Sequence, residues 1–276
     1  MPHARIGVSG WRYPSWRGDF YPKGLPQRLE LTYAAERMTS IEVNGSFYSL
    51  QRPSSYAAWR AAVPAQVVLA VKGGRFITHM KSLRDVETPL AKKFASGVLA
   101  LGAQLGPVHW QLPERLASDR ERLARFFALL PRTTSDAARL AAGHDDKLAD
   151  DRVLTTCDVE APVRHALEPR HESFESDEAR ALCAEHGVAL VVADSAGRWP
   201  VMRDATSDFR YVRLHGETEL YASGYTDASL DRWAGTCRDW LDEGHDVHVY
   251  FDNDARGHAP HDAVRLVRRL GLSTIA

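Results

Sequence analysis

The sequence predicts an α/β fold, a single-domain (β/α)8 TIM-type barrel of eight parallel strands over residues 1–276. Three observations carry that reading. Short apolar runs ending in polar or charged residues recur eight times along the chain. Segments of helical apolar spacing separate nearly all of them. Eight strands alternating with about seven clear helices, in 276 residues, match the order and size of one closed barrel.

The first strand is predicted over 6–10, with a helix over 29–37 behind it. The second, over 41–44, alternates Ile41 and Val43 with Glu42 and Asn44, and period two sends carboxylate and amide to one face. A helix over 54–62 leads to the third strand, 67–72, which ends on Lys72 before Gly73-Gly74. A helical pattern over 89–105 precedes the fourth, 108–112, where His109 and Gln111 alternate with apolar neighbours. Ser118-Asp119 caps a helix over 119–130.

Residues 132–162, rich in Ala, Asp and Thr, interrupt the alternation between the fourth helix and the fifth strand. They are expected to form an irregular surface excursion, in preference to a substrate lid, with a short helix over 135–143. The fifth strand, 164–171, contains Pro169, which lacks a ladder donor, so a bulge is expected near its end. Ser176-Asp177 caps a helix over 177–186 and Gly187 stops it. The sixth strand, 188–193, runs into Asp194-Ser195, and 195–209 carries no helical pattern, so that crossover is expected to be short or irregular.

The seventh strand, 211–216, puts Tyr211, Arg213 and His215 on one face and Val212 and Leu214 on the other. Thr226-Asp227 caps a helix over 228–243, Gly244 stops it, and the eighth strand follows over 247–254. A helix over 259–270 closes the pattern before Gly271.

Hydrophobic content of 44% and charged content of 26% lie in the globular range. No apolar run approaches the roughly 20 residues of a spanning helix. The first residues lead straight into a strand without a signal-peptide apolar region, and the three cysteines lack CxxC spacing. These features predict reduced thiols and a cytoplasmic protein, with Cys183 and Cys237 packed on helices. A net charge of −1 removes the simplest argument for nucleic-acid binding, which needs a strongly basic domain.

The motifs together resemble one family. Gly10-Trp11-x-Tyr13-x-x-Trp16-x-Gly18-x-Phe20-Tyr21-Pro22, Glu42-x-Asn44-x-x-Phe47-Tyr48, Lys72 with Thr78-His79, and Gln111-Leu112-Pro113 match the YecE-like family, domain of unknown function 72. Glu168-x-Arg170-His171-x-Ser173, Ala193-Asp194, residues 211–216 and Tyr250-Phe251-Asp252-Asn253-Asp254 follow in the family's order. The resemblance covers nearly the whole chain. It implies a TIM-type barrel and supplies no reaction. Pro169 stands where the family usually has a strand hydrophobe, and Phe174 replaces its usual Trp.

Barrel enzymes build their sites at the C-terminal ends of the strands. Phasing from the apolar faces directs Ser9, Glu42, Asn44, Lys72, His109, Gln111, Glu168, Arg170, Asp194, Arg213, His215, Tyr250 and Asp252 inward or upward. This implies either a polar cavity or an ion-pair plug, and the cost of burying so many charges favours a cavity with a ligand. Lys72, Arg170 and Arg213 offer a point cation and two planar forks, suited to phosphate or carboxylate. Lys72-Gly73-Gly74-Arg75 either adds backbone donors or is a plain turn.

His215, Glu168 and Asp194 are the predicted acid–base residues, with His171 second because its parity differs. Asn44, Gln111, Tyr48, Trp11, Tyr250 and Asn253 complete the predicted substrate-binding set. Trp11, Tyr13, Trp16, Phe20 and Tyr21 are expected mainly to pack their loop, with Trp11 and Tyr48 the candidates for stacking on a ligand.

Glu168, Asp194, His215 and Asp252 are also metal-ligand types, but nearby arginines oppose a cation and no HxH or HxxxH pair ends a strand. No metal or other cofactor is predicted. Asp252-Asn253-Asp254 lacks the rest of a calcium loop and reads as loop-fixing. The expected function is general acid–base hydrolysis of a small anionic, phosphate or nucleotide-like substrate. Two alternatives stay open: a non-catalytic nucleotide- or nucleic-acid-binding protein, and a metal-dependent barrel hydrolase or isomerase. No membrane partner is predicted, and Trp233 and Trp240 are expected to pack on the barrel rather than form a dimer seam.

Overall fold

The computed structural model describes residues 1–275. Strands β1 (Ala4–Ser9), β2 (Ser40–Val43), β3 (Val68–Lys72), β4 (Leu105–Gln111), β5 (His165–Glu168), β6 (Val188–Asp194), β7 (Phe209–Leu214) and β8 (Asp246–Phe251) close into a parallel barrel in chain order. Closure is visible in the register of β1 on β8, where Ile6 lies opposite Val249. The helices are α1 (Glu30–Ala35), α2 (Gly45–Tyr48), α3 (Pro53–Ala62), α4 (Glu87–Ala95), α5 (Arg120–Ala128), α6 (Thr134–Ala142), α7 (Asp177–Glu185), α8 (Asp227–Asp242) and α9 (His258–Arg269).

Every predicted strand and helix is present, with three differences of detail. The 89–105 pattern is two elements, α4 and a 3-10 segment Val98–Gln104. Gly97 separates them at φ +110°, where an added Cβ would lie 2.4 Å from the Pro53 Cα. Secondly, β5 ends at Glu168 instead of bulging. Its register on β4 advances evenly from Val108↔His165 to Gln111↔Glu168, and Pro169, unable to donate, ends the ladder. Thirdly, α2 and a π-helical turn at Phe76–Met80 are too short to show a period in sequence.

The crossover from β6 to β7 carries no helix among the described residues. The excursion at 132–162 holds α6, started by a reciprocal Thr133/Asp136 capping box. It is docked rather than loose. Ala137 and Ala141 are buried, α6 packs on α4, and Leu154 N–H donates to Ala95 O at 2.8 Å.

Contacts gather in two compact units. The first comprises Met1–Glu42, Ala62–Val68 and the chain from Ala189 onward; the second comprises Val43–Ala61 and Leu69–Val188. In the first, one face of β7 and β8 carries Tyr211 and His248, whose rings stack at 6.2 Å, and Tyr250, 5.0 Å from Tyr211. The opposite faces bury Val212, Leu214, Val247, Val249 and Phe251 completely. Each such aliphatic contributes about 1.5–3 kcal/mol by leaving water.

In the second unit, Trp110 is fully buried edge-on to Phe126. Its indole N–H, a donor only, bonds His165 Nδ1 at 3.2 Å, so His165 Nε2 carries the proton and donates to Pro131 O at 2.8 Å. Burial pushes that imidazole down to about 4 and keeps it neutral. Cys183 and Cys237 lie buried on α7 and α8, where burial pushes their thiols up to about 12 and leaves them inert.

Candidate functional site

In the first unit the ends of β1, β2, β7 and β8 assemble a buried charge relay. Glu42, with no exposed surface, accepts from Ser9 Oγ, from Tyr211 OH at 2.6 Å and from Arg213 Nη2 at 3.2 Å. Arg213 Nη2 also donates to Asp252 Oδ2 at 2.9 Å, and that oxygen lies 3.2 Å from His215 Nδ1. One guanidinium therefore serves two carboxylates and holds both in place. Burial, reinforced by the Glu42 charge, raises the Tyr211 phenol well above its ordinary value, so it remains a donor.

His215 is covered by Trp199, 5.3 Å away edge-to-face, and by Tyr221 at 5.4 Å. Tyr221 stands at φ +61°, a conformation bulky residues rarely adopt, and its N–H donates to His215 O. Asp194, at the end of β6, accepts from Tyr225 OH at 3.2 Å. Burial raises its carboxyl above the usual carboxylate range. Asp254 is raised too, by burial and then by the charge of Asp252.

The second unit gathers cations. Lys72 ends β3, and its ammonium lies 4.9 Å over the Phe47 ring. Phe47 in turn stands edge-on to His79 at 5.2 Å. The π-helical turn carries His79, whose Nδ1 is 2.8 Å from Thr78 Oγ1, and Arg115 donates to its carbonyl at 3.2 Å. Such turns recur at functional positions. Partial burial, then Arg170, Lys72 and Arg115 in that order, push the His79 imidazole down to about 4, with Glu168 opposing.

Glu168 ends β5 without exposed surface. One oxygen accepts from Arg170 Nε and Nη2, at 3.1 and 3.0 Å, and the other lies 2.9 Å from His109 Nε2. Gly73 explains itself by packing: an added Cβ would lie 2.2 Å from Trp110 Cε3. Its N–H donates to His109 O at 2.7 Å, so at Gly73 the expected backbone donor is committed to β4.

The predicted residues meet within each unit as follows. His215 and Arg213 meet through Asp252; Glu168 and Arg170 meet directly; Lys72 joins the His79 cluster; Asp194 pairs with Tyr225. Asn44 is half-buried before α2, and Gln111 is buried at the end of β4. Tyr48 is 67% exposed beside Arg75. Trp11 is buried with its carbonyl taken by Tyr21 OH, and Trp16, Phe20 and Tyr21 pack on one another as expected.

Tyr250 OH bonds Ser40 Oγ at 2.7 Å within the core. Asn253 Nδ2 donates to Ser223 O and Asp262 Oδ2, both at 2.9 Å, which ties its loop to α9. His171 Nδ1 accepts from Ser173 N–H and caps the turn Glu172–Glu175. Among the described residues no group of three or more His, Cys, Asp or Glu side chains is placed to hold a metal ion. None of the described helices is long and apolar enough to cross a membrane.

Sequence reasoning underrated His79, in the short π-helical turn, and Arg115, in the loop after β4, neither of which shows a period. The signal for His79 was the polar pair Thr78-His79 following Lys72-Gly73-Gly74 in a strand-to-helix loop. Arg115 gave none.

A DUF72 family protein from Thermotoga maritima superposes with a TM-score of 0.74 at 19% identity, covering 98% of this chain and 99% of that one. A DUF72 family protein from Enterococcus faecalis gives 0.71 at 16% identity, covering 98% and 96%. A D-psicose 3-epimerase from Clostridium cellulolyticum gives 0.50 at 11% identity over 98% of each chain, a likeness of fold alone. No curated protein matches the chain. The model of the family described as "Protein of unknown function DUF72" matches residues 5–275, and the chain belongs to that family.

Proposed function

We propose that the protein is an enzyme that binds a small anionic, phosphate or nucleotide-like substrate at the C-terminal strand ends and hydrolyses it by general acid–base chemistry. The observation that carries this reading is the His79 cluster. Arg170, Lys72 and Arg115 all act on one half-buried imidazole, with the Glu168 carboxylate opposing them. An excess of positive charge in a partly desolvated place is matched by an anion, and planar guanidinium forks suit phosphate oxygens.

Within that unit Glu168 is the acid–base candidate, its carboxylate oriented by Arg170. In the first unit His215 has the arrangement of a proton carrier, with Nδ1 fixed by Asp252. Asp194, raised toward its protonated form, is the corresponding acid. One observation favours binding without turnover: one oxygen of Glu168 is already committed to Arg170 Nε and Nη2.

Calorimetry with inorganic phosphate and turnover of p-nitrophenyl phosphate and nucleoside monophosphates separate the two readings. Binding with turnover supports the enzyme, and binding alone supports the second reading. Arg170→Ala is expected to weaken phosphate binding about 10- to 100-fold, as loss of a charge-assisted partner does. Absence of binding to the wild-type protein overturns both.

A further inference from the structure

Three large apolar side chains are exposed on two short elements of the second unit: Tyr48 on α2, and Phe76 and Met80 on the π-helical turn. The two elements touch, since Phe47 of α2 meets His79 of the turn. Exposed apolar side chains gathered in this way mark a binding surface.

Arg75 belongs to the same surface. Its Cζ stands 5.9 Å over the Tyr48 ring, and among the described residues it forms no ion pair. A guanidinium in direct contact with a ring sits closer, as Arg37 does at 3.5 Å over Tyr33. The wider gap at Tyr48 approaches two stacking intervals of about 3.4 Å each, the space that one flat ring needs between two others.

That gap is continuous with the cations of the second unit. Phe47 stands edge-on to Tyr48 at 5.1 Å and to His79 at 5.2 Å, and Lys72 Nζ lies 4.9 Å over its face. One ring therefore separates the Tyr48–Arg75 gap from the cluster of Arg170, Lys72 and Arg115 around His79. Core packing does not account for Tyr48, whose ring lies mostly in water, and charge balance does not account for Arg75.

We propose that the occupant of the anion site is a nucleoside monophosphate, with its base between the Tyr48 ring and the Arg75 guanidinium and its phosphate among Lys72, Arg115 and Arg170. This rests on the anion site proposed above and adds the side chains that select its ligand. The ribose bridges the width of Phe47. Tyr48 supplies a stacking face that accepts any base, and Arg75 supplies a cation–π contact on the other side.

Calorimetry on the intact protein compares inorganic phosphate, ribose 5-phosphate and adenosine 5′-monophosphate. The nucleotide is expected to bind about 10-fold tighter than ribose 5-phosphate, the usual gain from one stacked base. Tyr48→Ala is expected to erase that difference, and Tyr48→Phe to keep it. Equal affinities of the wild-type protein for the two ligands overturn the stacking, as does a preference that survives Tyr48→Ala or is lost in Tyr48→Phe; phosphate binding in the same series leaves the anion site standing. Absence of phosphate binding overturns the anion site and this inference with it. Sedimentation reads the remaining outcome: a dimer that Tyr48→Ala dissociates means that a second copy covers the surface, and overturns the proposal.

Discussion

One carboxylate oxygen of Glu168 accepts both Nε and Nη2 of Arg170, at 3.1 and 3.0 Å. The pair orients the fork while leaving Arg170 11% exposed. Neutralising Glu168 keeps the shape but strands a largely buried cation. Glu168→Gln is expected to lose about 3 kcal/mol in urea denaturation, and to retain phosphate binding while losing turnover. Unchanged turnover in this variant would remove Glu168 from the chemistry.

The relay in the first unit yields a second prediction. Arg213 is the cation between Glu42 and Asp252, and all three lie in or against the core. Arg213→Met removes the guanidinium that the two carboxylates share, a change expected to cost about 3–5 kcal/mol. The additional variant Glu42→Gln should restore part of that loss, and a thermodynamic cycle in urea measures how much. Strictly additive losses would mean the two side chains act independently.

His165 predicts an acid limb. Its folded value is depressed to about 4 from an unfolded value near 6.5, so the unfolded chain binds more protons between those pH values. The stability it supports is complete above about pH 6.5 and is lost as pH falls toward 4, by about 3 kcal/mol. Urea midpoints from pH 7 to pH 4 should show that slope, and His165→Gln should flatten it. An identical slope in the variant would assign the acid sensitivity elsewhere.

Lys93 predicts a second limb of the same sign at higher pH. Its folded value is depressed to about 7 from 10.5, so the unfolded chain holds the extra proton between pH 7 and 10.5 and stability rises with pH in that window. Between pH 7 and pH 9 the gain relative to Lys93→Met is expected to be about 2 kcal/mol. Parallel curves for the two proteins would show that Lys93 is charged in the fold.

The architecture was readable because it rests on repetition. Runs such as Val188–Asp194 and the caps Ser176 and Thr226 each state their element locally, and eight repeats leave one topology. The phasing of Tyr211 and Arg213 followed from the pleat alone. Pairing was not readable. Nothing in the sequence says that Arg213 spends itself on Glu42 and Asp252, residues 171 and 39 positions away, because that depends on how strand ends converge. His79 escaped for another reason: a five-residue π-helical turn has no period to detect, and its meaning comes from the cations around it.

The most direct test of the proposed anion site is an NMR titration of the His79 imidazole with and without saturating inorganic phosphate. Without ligand its value should lie near 4, held down by burial and by Arg170, Lys72 and Arg115. A bound phosphate offsets those cations and should move it upward, with Arg170→Ala reducing the ligand-induced shift. A value that starts at the ordinary 6.5, or that phosphate leaves unmoved, would contradict the account.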